Sequence, residues 1–501
     1  MSIASNITRI ANAKEALKTA INAKGGTLTS EKIDQYAAAV DALEPADGFG
    51  NRVRFFDYDG TLLKTMYVAD GEDATPPATP VHSGLTFEGW NNDYTDVTGD
   101  VDVGAMYSPT SGKTEIDVRI IFEGRNYTLN FTITSGTLTV DWGDGTSTSS
   151  ISSTGTLPHT YAAQGEYTIT ISASSGAEWQ PGQYFCNGGN SSNEYCTRAV
   201  RFYGITTLSN YALCYCKGLT DIIIPPSVTS IYDYACNSCS SLRCAVIPNS
   251  VATVGGYAFA DCESLLRIVW PESAEDIPGS CFKSCRALAD IIIPNGVETV
   301  SGEAFYGCNA LSEAYLPDSI TSIGSDAFRY CYGLSKLRLS SSLISLPSSC
   351  FYGCHALQTV DIPSGVTVIN SSCFDDCFGL RSVTLPSSLA QIKSQAFSDC
   401  YGISAIELPT SLISIESYAF QNCSLQRLVI PSAVTSIGGY AFYCPGLLDV
   451  SVLPSTPPTA GNSSIFGNNE NRRITVPAAS LTDYKNASGW SGFEDYIFAA
   501  D

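Results

Sequence analysis

Apolar residues recur along more than half of the chain with a fixed period of 23. In one unit, Leu288, Ile291 and Ile293 alternate with other residues and the run ends at Pro294. Alternation predicts a short strand, and proline is tolerated there because it ends the hydrogen-bonded ladder. A fixed period of this length predicts stacked coils, each burying its apolar face on its neighbours.

A cysteine marks the same place in successive units, and its copies follow each other at steps of 23 until the last step of 21. The repeated cysteines are Cys216, Cys239, Cys262, Cys285, Cys308, Cys331, Cys354, Cys377, Cys400, Cys423 and Cys444. Copies in adjacent coils lie above one another, and free cysteine packs as a small buried hydrophobe. We therefore predict an inward ladder of reduced thiols rather than disulfides or a metal site. Cys186 and Cys196 lie outside the ladder and could pair.

The leucine, isoleucine, proline, Ala-Phe and cysteine positions all recur in phase, as in Ala304-Phe305 before Cys308. Residues 198–454 thereby closely resemble a BspA-type leucine-rich repeat of about eleven coils. The resemblance implies a solenoid built mainly of β-structure with short helices. Residues 455–501 leave the repeat, and we predict that they form a C-terminal cap over the open end.

The first 46 residues show apolar positions at helical spacing, among them Ile3, Ile7 and Ile10. Gly25 and Gly26 interrupt this stripe before a second one begins. We predict a helical hairpin over residues 1–46. So short a hairpin cannot bury its apolar stripe alone, which favours a role in attachment or oligomerisation over a free-standing domain.

Residues 50–108 form short β-like runs separated by glycine, proline and aspartate. The stretches Phe56–Gly60, Gly84–Trp90 and Val103–Tyr107 resemble the internalin B-repeat type of small β module. Asp57-Tyr58-Asp59-Gly60-Thr61-Leu62 also resembles motif I of haloacid-dehalogenase phosphatases, which would make Asp57 a nucleophile. Prolines and turns follow instead of the βαβ domain such enzymes need. We interpret the motif as a turn between two strands.

Residues 112–176 contain Val140–Thr146, His159–Tyr161 and Gly165–Ile171. These stretches resemble the polycystic-kidney-disease (PKD) domain, an immunoglobulin-like β-sandwich. The resemblance implies a core position for Trp142. Asp141 and Asp144 are expected to form a turn, with calcium binding left open.

The charge of the chain limits the classes of partner that it is expected to bind. The formal net charge is −22 although only 15 % of residues are charged. Such an acidic chain is poorly suited to nucleic acid or to anionic membranes, both of which attract Lys and Arg. No apolar run is long enough to insert into a bilayer, and the N-terminal residues lack a signal-peptide pattern. We therefore expect folding in a reducing cytoplasm.

Two columns of the repeat are candidates for ligand binding because the coil does not require their identity. The strand position two before the proline faces outward and begins with an apolar stripe: Ile223, Val246, Val269, Ile292 and Tyr315. The residue after the ladder cysteine is aromatic in four successive coils: Tyr332, His355, Phe378 and Tyr401. The stripe is a candidate contact surface. The alternatives are that strand propensity alone explains the apolar residues, or that the adjacent PKD-like module covers them. The aromatic column could stack on sugar rings, or it could simply pack between adjacent turns.

The sequence contains little that would support catalysis. The three histidines lie in different modules, and no nucleophile–base arrangement, phosphate loop or metal-ligand spacing remains once the cysteine ladder is explained. We expect neither enzymatic activity nor a cofactor.

The modular plan resembles that of an adhesin, with small β modules before a repeat that recognises a surface. Ile7–Lys24, Gly25-Gly26 and Lys32–Ala37 also resemble N-terminal segments of phage tail and baseplate proteins. The resulting hypothesis is a virion fibre or receptor-binding protein. Its hairpin would bind other virion proteins, and its repeat would bind a host glycan or protein. The alternative is a bacterial surface adhesin; the oligomeric state stays open, although fibres are often trimers.

Overall fold

The computed structural model describes residues 50–186, 194–461, 464–467 and 471–500. The helical hairpin predicted for residues 1–46 lies outside these residues. The chain divides into two compact units. Among the described residues, the smaller unit comprises residues 50–53, Thr65–Thr75 and Tyr94–Asp100, and the larger one comprises Arg54–Lys64, Pro76–Asp93 and the described residues from Val101 onward.

Within the smaller unit, hydrogen bonds tie its three segments together. The side-chain amide of Asn51 donates to the carbonyl of Val97 at 2.7 Å, and the backbone N–H of Gly71 donates to the same carbonyl at 3.0 Å. The Arg52 Nε lies 3.3 Å from Asp100 Oδ2, with both side chains partly exposed.

Four strands lie before the sandwich: β1 (Asn51–Phe56), β2 (Leu62–Val68), β3 (Leu85–Trp90) and β4 (Val101–Pro109). They form a sheet in the order β2-β1-β4-β3. We call the part of this region that belongs to the larger unit, Arg54–Lys64, Pro76–Asp93 and Val101–Pro109, the β module. A turn joins β1 to β2, in which the N–H of Gly60 donates to the Asp57 carbonyl at 3.0 Å. This is the turn that the sequence predicts.

The next seven strands form two antiparallel sheets that bury a shared core. The strands are β5 (Thr114–Ile120), β6 (Arg125–Ser135), β7 (Leu138–Asp141), β8 (Ser147–Ile151), β9 (Gly155–Tyr161), β10 (Gly165–Ala173) and β11 (Glu178–Pro181). Trp142, Tyr127 and Tyr161 lie fully inside this core. The arrangement is a β-sandwich; its membership of the PKD family stays a prediction.

The sandwich runs directly into the first coil of the repeat. Strand β12 (Thr197–Arg201) pairs antiparallel with β5 and parallel with the next coil strand, Asp221–Ile223. One six-stranded sheet therefore contains both sandwich and coil strands. A solenoid needs its terminal coils covered, and at this end the sandwich supplies the cover.

The coils stack through two columns of short parallel strands, with partners 23 residues apart in most pairs. The two columns are named by the length of their strands. The long column consists of strands of three or four residues: Asp221–Ile223, Cys244–Val246, Arg267–Val269, Glu313–Tyr315, Lys336–Arg338, Thr359–Asp361, Ser382–Thr384, Arg427–Ile430 and Asp449–Val452. The short column contains Thr207–Leu208, Ser230–Ile231, Thr253–Val254, Asp276–Ile277, Thr299–Val300, Ser322–Ile323, Ser345–Leu346, Val368–Ile369, Gln391–Ile392, Ser414–Ile415, Ser436–Ile437 and Thr459–Ala460. Residues 290–292 and 405–407 are in phase with the long column without forming assigned strands.

The interior holds the predicted thiols. All nineteen cysteines are buried and none forms a disulfide, so Cys186 and Cys196 are not paired with each other. In the ladder, each thiol from Cys239 onward donates to a backbone carbonyl of the preceding coil, as Cys285 does to Phe259 at 3.1 Å. Burial raises the pKa of the Cys239 thiol well above its ordinary value. The ladder is therefore a spine of neutral thiols, as predicted.

Further cysteines occupy the small-residue position of the repeat. Cys281, Cys350 and Cys373 stand where neighbouring coils have alanine, such as Ala304 and Ala327, and all are buried. A thiol is only slightly larger than a methyl group and behaves as a small hydrophobe. The two residue types can therefore alternate at this position without breaking the stack.

A tight turn in most coils places two residues, four apart, in the left-handed backbone region. From Tyr211 to Asn422 each coil has such a pair; Ser280 and Ser284, for example, have φ of 55° and 62°. The conformation costs roughly 1–2 kcal/mol for a residue other than glycine. Hydrogen bonds to the next coil offset it, as from the Ser284 N–H to the Tyr306 carbonyl at 2.7 Å.

The C-terminal residues extend the stack before closing it. Strands Arg473–Val476 and Ile497–Ala499 continue the long column in parallel, joined by helix α1 (Leu481–Asn486) and two 3₁₀ helices, Ala478–Ser480 and Ser491–Tyr496. Trp490 and Phe493 pack against Phe466, with ring centroids 5.9 and 5.5 Å away. The indole N–H of Trp490 donates to the Pro458 carbonyl at 2.8 Å.

Candidate functional site

The β module packs on the first strands of the long column. Phe56 and Met106 lie against Val246 and Val269, and Ala105 and Tyr107 lie against Ile223; except for the partly buried Met106, these residues are buried. At Gly104 a side chain would not fit, since a Cβ atom would come within 2.5 Å of Val246 Cγ1.

Four charged side chains lie beside this apolar contact: Arg54 and Asp102 are buried, and Arg267 and Asp290 are partly buried. Arg54 binds Asp102 through two hydrogen bonds of 2.6 and 2.8 Å and also binds Asp290. Arg267 lies 3.7 Å from Asp102 and 3.6 Å from Asp290, and its guanidinium stacks over Phe56 at 4.1 Å. Although burial opposes its charge, Asp102 and Asp290 raise the pKa of Arg54. Two cations and two anions thus balance each other inside the contact.

Two asparagines add directional bonds. The amide of Asn91 donates to the Ile247 carbonyl at 2.9 Å, and that of Asn92 donates to the Trp270 carbonyl at 2.8 Å. Each of these carbonyls directly follows a long-column strand. The β module therefore donates hydrogen bonds to backbone carbonyls of two successive coils.

This packing corrects the expectation of an exposed apolar stripe. Ile223, Val246, Val269 and Ile292 are all buried, and Tyr315 is partly buried. The first three are covered, but by the β module. The predicted cover by the adjacent PKD-like module is therefore wrong as to the covering element. Beyond Tyr315 the same column is exposed and polar: Arg338, Asp361, Thr384 and Glu407.

The second predicted column is brought together as a continuous stack, which we call the aromatic ladder: Tyr332, His355, Phe378 and Tyr401. Centroid distances along it are 4.7, 4.5 and 5.4 Å, with ring planes within 25° of parallel. Tyr332 and Phe378 are each 41 % exposed and Tyr401 is 51 % exposed. Because the inner rings cover each other's faces, their edges point to solvent.

The coil does not require rings at this position. The other coils place different residues after the ladder cysteine: Lys217, Ser240, Glu263, Arg286, Asn309, Ser424 and Pro445. The aromatic ladder is therefore a local feature of four coils. Alongside it, Arg329 lies over the rings of Tyr330 and Tyr352 at 4.9 and 4.4 Å, which widens the aromatic surface.

Carboxylates line the aromatic ladder. Asp376 Oδ2 lies 3.5 Å from His355 Nε2, and Asp399 accepts a hydrogen bond from the Tyr401 hydroxyl at 2.9 Å. Burial raises the pKa of the neighbouring Asp375 to about 6, the charges of Asp399 and Asp376 add to this, and hydroxyl hydrogen bonds oppose it. The surface combines exposed rings with negative charge, which disfavours anionic ligands.

A second stack was not anticipated from the sequence. Tyr211, Tyr234 and Tyr257 lie parallel at 4.7 Å, within 6° of each other, at the first left-handed position of three coils. Their spacing of 23 residues is the signal that could have revealed them. They are partly buried, so they offer less surface than the aromatic ladder.

Asp57 is enclosed rather than poised for attack. Its buried carboxylate accepts hydrogen bonds from His82 Nε2 at 2.8 Å and from the Tyr107 hydroxyl at 2.9 Å. His82 borders a polar cleft of about 330 Å³ that Arg201 and Asp117 also line, and these two bind each other at 2.6 Å. The cleft's charged groups are thus already paired.

The two aspartates of the sandwich hold a turn. Asp141 accepts from the Gly143 N–H at 3.0 Å, while Asp144 accepts from the Thr146 N–H at 3.0 Å and pairs with His159 at 2.8 Å. Across the described ranges, no group of three or more His, Cys, Asp or Glu side chains is arranged to hold a metal ion. Calcium binding at this turn stays an open prediction.

The two strand columns and their buried spine define a leucine-rich-repeat solenoid. The sequence profile of the family described as "BspA type Leucine rich repeat region" matches residues 194–310, 275–404 and 369–488, more than half of the chain in all. The chain therefore belongs to the BspA-type leucine-rich repeat family. No curated protein matches it. In the part of the chain that the structure describes, no helix is long and apolar enough to cross a membrane.

Three solved structures are similar to part of this chain. A leucine-rich repeat protein from Bacteroides ovatus ATCC 8483 is 22 % identical over 61 % of this chain and 95 % of its own, with a TM-score of 0.40. A leucine-rich cell surface protein from Faecalibacterium prausnitzii A2-165 is 22 % identical over 50 % and 83 %, with a TM-score of 0.33. The pneumococcal vaccine antigen PcpA is 17 % identical over 59 % and 76 %, with a TM-score of 0.35.

Proposed function

We propose that this chain is a non-catalytic adhesion protein that binds a cell-surface protein or glycan through the aromatic ladder. The observation that carries the proposal is the placement of the rings. Four successive coils place the rings of Tyr332, His355, Phe378 and Tyr401 side by side, all of them exposed except the partly buried His355, where the other coils use different residues. Exposed aromatic clusters are costly in water and are enriched at binding hot spots. Membership of a repeat family of interaction scaffolds supports the same role.

The long column is the less suitable surface. Three of its five apolar positions, Ile223, Val246 and Val269, already contact the β module. Its remaining half is polar, and some of its charges are paired within the column, as Lys336 with Glu313 at 2.8 Å. A partner would have to displace these contacts to bind there.

The test measures adhesion of purified full-length protein to target cells. The variant Tyr332→Ala/Phe378→Ala/Tyr401→Ala removes three rings of the aromatic ladder and should weaken adhesion by tenfold or more, since hot-spot truncations cost more than about 1 kcal/mol each. The matched control Ser240→Ala/Glu263→Ala changes the same repeat position in other coils and should bind normally. Equal adhesion by both variants, with both folded, would refute the proposal.

A second question is whether this protein is part of a virion or of a bacterial cell surface. The resemblance of residues 7–37 to phage tail and baseplate segments favours a virion fibre or receptor-binding protein, attached through residues 1–46. The repeat family fits a bacterial surface adhesin equally well. Deleting residues 1–45 separates the two: a virion protein should no longer enter particles while its solenoid stays folded. Normal incorporation of the truncated chain would exclude attachment through this segment.

A further inference from the structure

The aromatic ladder ends at Tyr401, and this end differs from the rest of the stack. His355 and Phe378 each have a ring on both faces. Among the described rings, Tyr401 stacks on Phe378 alone, because the next coil has Ser424 at this position. Tyr401 is also the most exposed of the four rings, at 51 %. One aromatic face is therefore left open at the end of a rigid stack.

Hydrogen bonds fix the Tyr401 ring in place. Its hydroxyl donates to Asp399 Oδ1 at 2.9 Å, and the Asn422 amide donates to the same oxygen at 2.8 Å. The Ser398 hydroxyl donates to Asp399 Oδ2 at 3.0 Å. Asp399 and Asn422 occupy left-handed backbone positions, with φ of 55° and 59°, so the coil itself holds them. The ring and its polar rim are pre-organised, which lowers the entropy lost on binding.

We propose that the open face of Tyr401 is a subsite for a neutral pyranose ring, an inference that rests on the adhesion function proposed above. The C–H face of a pyranose has about the size of a phenol ring and stacks on it, because the aromatic face is negatively polarised. Asp399 Oδ2 retains acceptor capacity for a sugar hydroxyl, and the Asn422 amide lies beside it.

The same contacts disfavour other ligands. An arginine side chain binds a carboxylate best through two parallel hydrogen bonds. Asp399 Oδ1 already accepts two hydrogen bonds, which leaves only Oδ2 for a new donor. Anionic sugars and phosphates would be repelled by Asp376 and Asp399 and by the net charge of −22 on the chain. A neutral ring with separate hydroxyls satisfies the geometry without these costs.

The experiment applies the full-length protein to an array of oligosaccharides that end in neutral hexoses or N-acetylhexosamines, with sialylated counterparts and immobilised oligo-lysine. We expect binding to a subset of the neutral glycans. Tyr401→Ala should weaken it about tenfold, whereas Tyr401→Phe, which keeps the ring, should weaken it less than about threefold. Tyr418→Ala is the matched control, because Tyr418 is exposed and stacks on Tyr440 at 5.2 Å outside the aromatic ladder.

Two results would overturn the subsite. One is the absence of neutral-glycan binding, or binding that Tyr401→Ala leaves unchanged. The other is retention on oligo-lysine alone that disappears in Tyr401→Ala, which would assign the face to a cationic partner. If either occurs while the triple-ring variant still loses cell adhesion, the subsite fails and the adhesion function stands. If the triple-ring variant adheres to cells as well as the wild type does, the proposed function fails.

Discussion

The thiol of Cys308 donates a hydrogen bond to the carbonyl oxygen of Phe282, 3.1 Å away in the preceding coil. The same bond recurs 23 residues later, from Cys331 to Phe305 at 3.2 Å. Each coil thus presents a carbonyl to the thiol of the next one, and the buried sulfur has a partner. This repeated bond explains why cysteine, rather than alanine or valine, keeps the period.

The Arg54 cluster is expected to hold the β module on the solenoid. Arg54→Ala leaves Asp102 buried without its strongest partner, and breaking such a pair costs about 3–5 kcal/mol. Amide hydrogen exchange should rise in strands Asp221–Ile223 and Cys244–Val246, whose outer side chains the β module covers. Arg52→Ala is the control, because its pair with Asp100 is partly exposed. Identical exchange in the two variants would show that the cluster does not hold the β module.

The left-handed turn positions are expected to favour glycine. Gly307 has φ of 72°, and a Cβ there would meet only atoms 3.8 Å or more away. Gly307→Ser should therefore lower the free energy of unfolding by about 1 kcal/mol through backbone strain alone. Ser284→Gly, at the equivalent position one coil earlier, should raise it by a smaller amount.

Chemical denaturation measures both changes. Gly279→Ser supplies the control, since Gly279 has an ordinary backbone angle and its nearest outside atom lies 3.5 Å from a new Cβ. A loss at Gly279 as large as that at Gly307 would mean that the turn conformation is not the cause.

Asp375 is expected to make stability depend on pH. Its pKa is raised from 3.8 to about 6 in the folded protein, so folding favours the protonated form. The contribution is present below about pH 4 and is lost as the pH rises through about 6. Asp375→Asn should therefore be more stable than the wild type at pH 7.5, by at most about 3 kcal/mol, and similar to it at pH 4. Thermal unfolding across this range measures the difference; a constant difference would contradict the assignment.

The repeat could be predicted from the sequence because its information is periodic. Once Cys285 and Cys308 are placed one above the other, the alignment of Tyr332, His355, Phe378 and Tyr401 follows from the same step. The tyrosines at 211, 234 and 257 carry the same signal. The left-handed backbone at the turns could not be predicted in the same way, because serine, aspartate and tyrosine all occupy those positions and share no sequence signal.

The cover over the apolar stripe could not be predicted in this way. Arg54 and Asp290 are 236 residues apart and their pairing follows no period. The pairing depends on how the β module docks, and a single sequence does not encode that in any local pattern. The apolar character of Val246 and Val269 was visible, but whether water or Phe56 faces them is a tertiary question.

A thiol titration without reductant tests the spine of the solenoid most directly. All nineteen cysteines should be unreactive in the native protein, because they are buried and neutral, and all nineteen should react once the chain is unfolded. Fewer than nineteen reactive thiols after unfolding would reveal disulfides. Rapid reaction of many thiols in the native state would place the ladder on the outside, and either result would contradict the coil stack that positions the aromatic ladder.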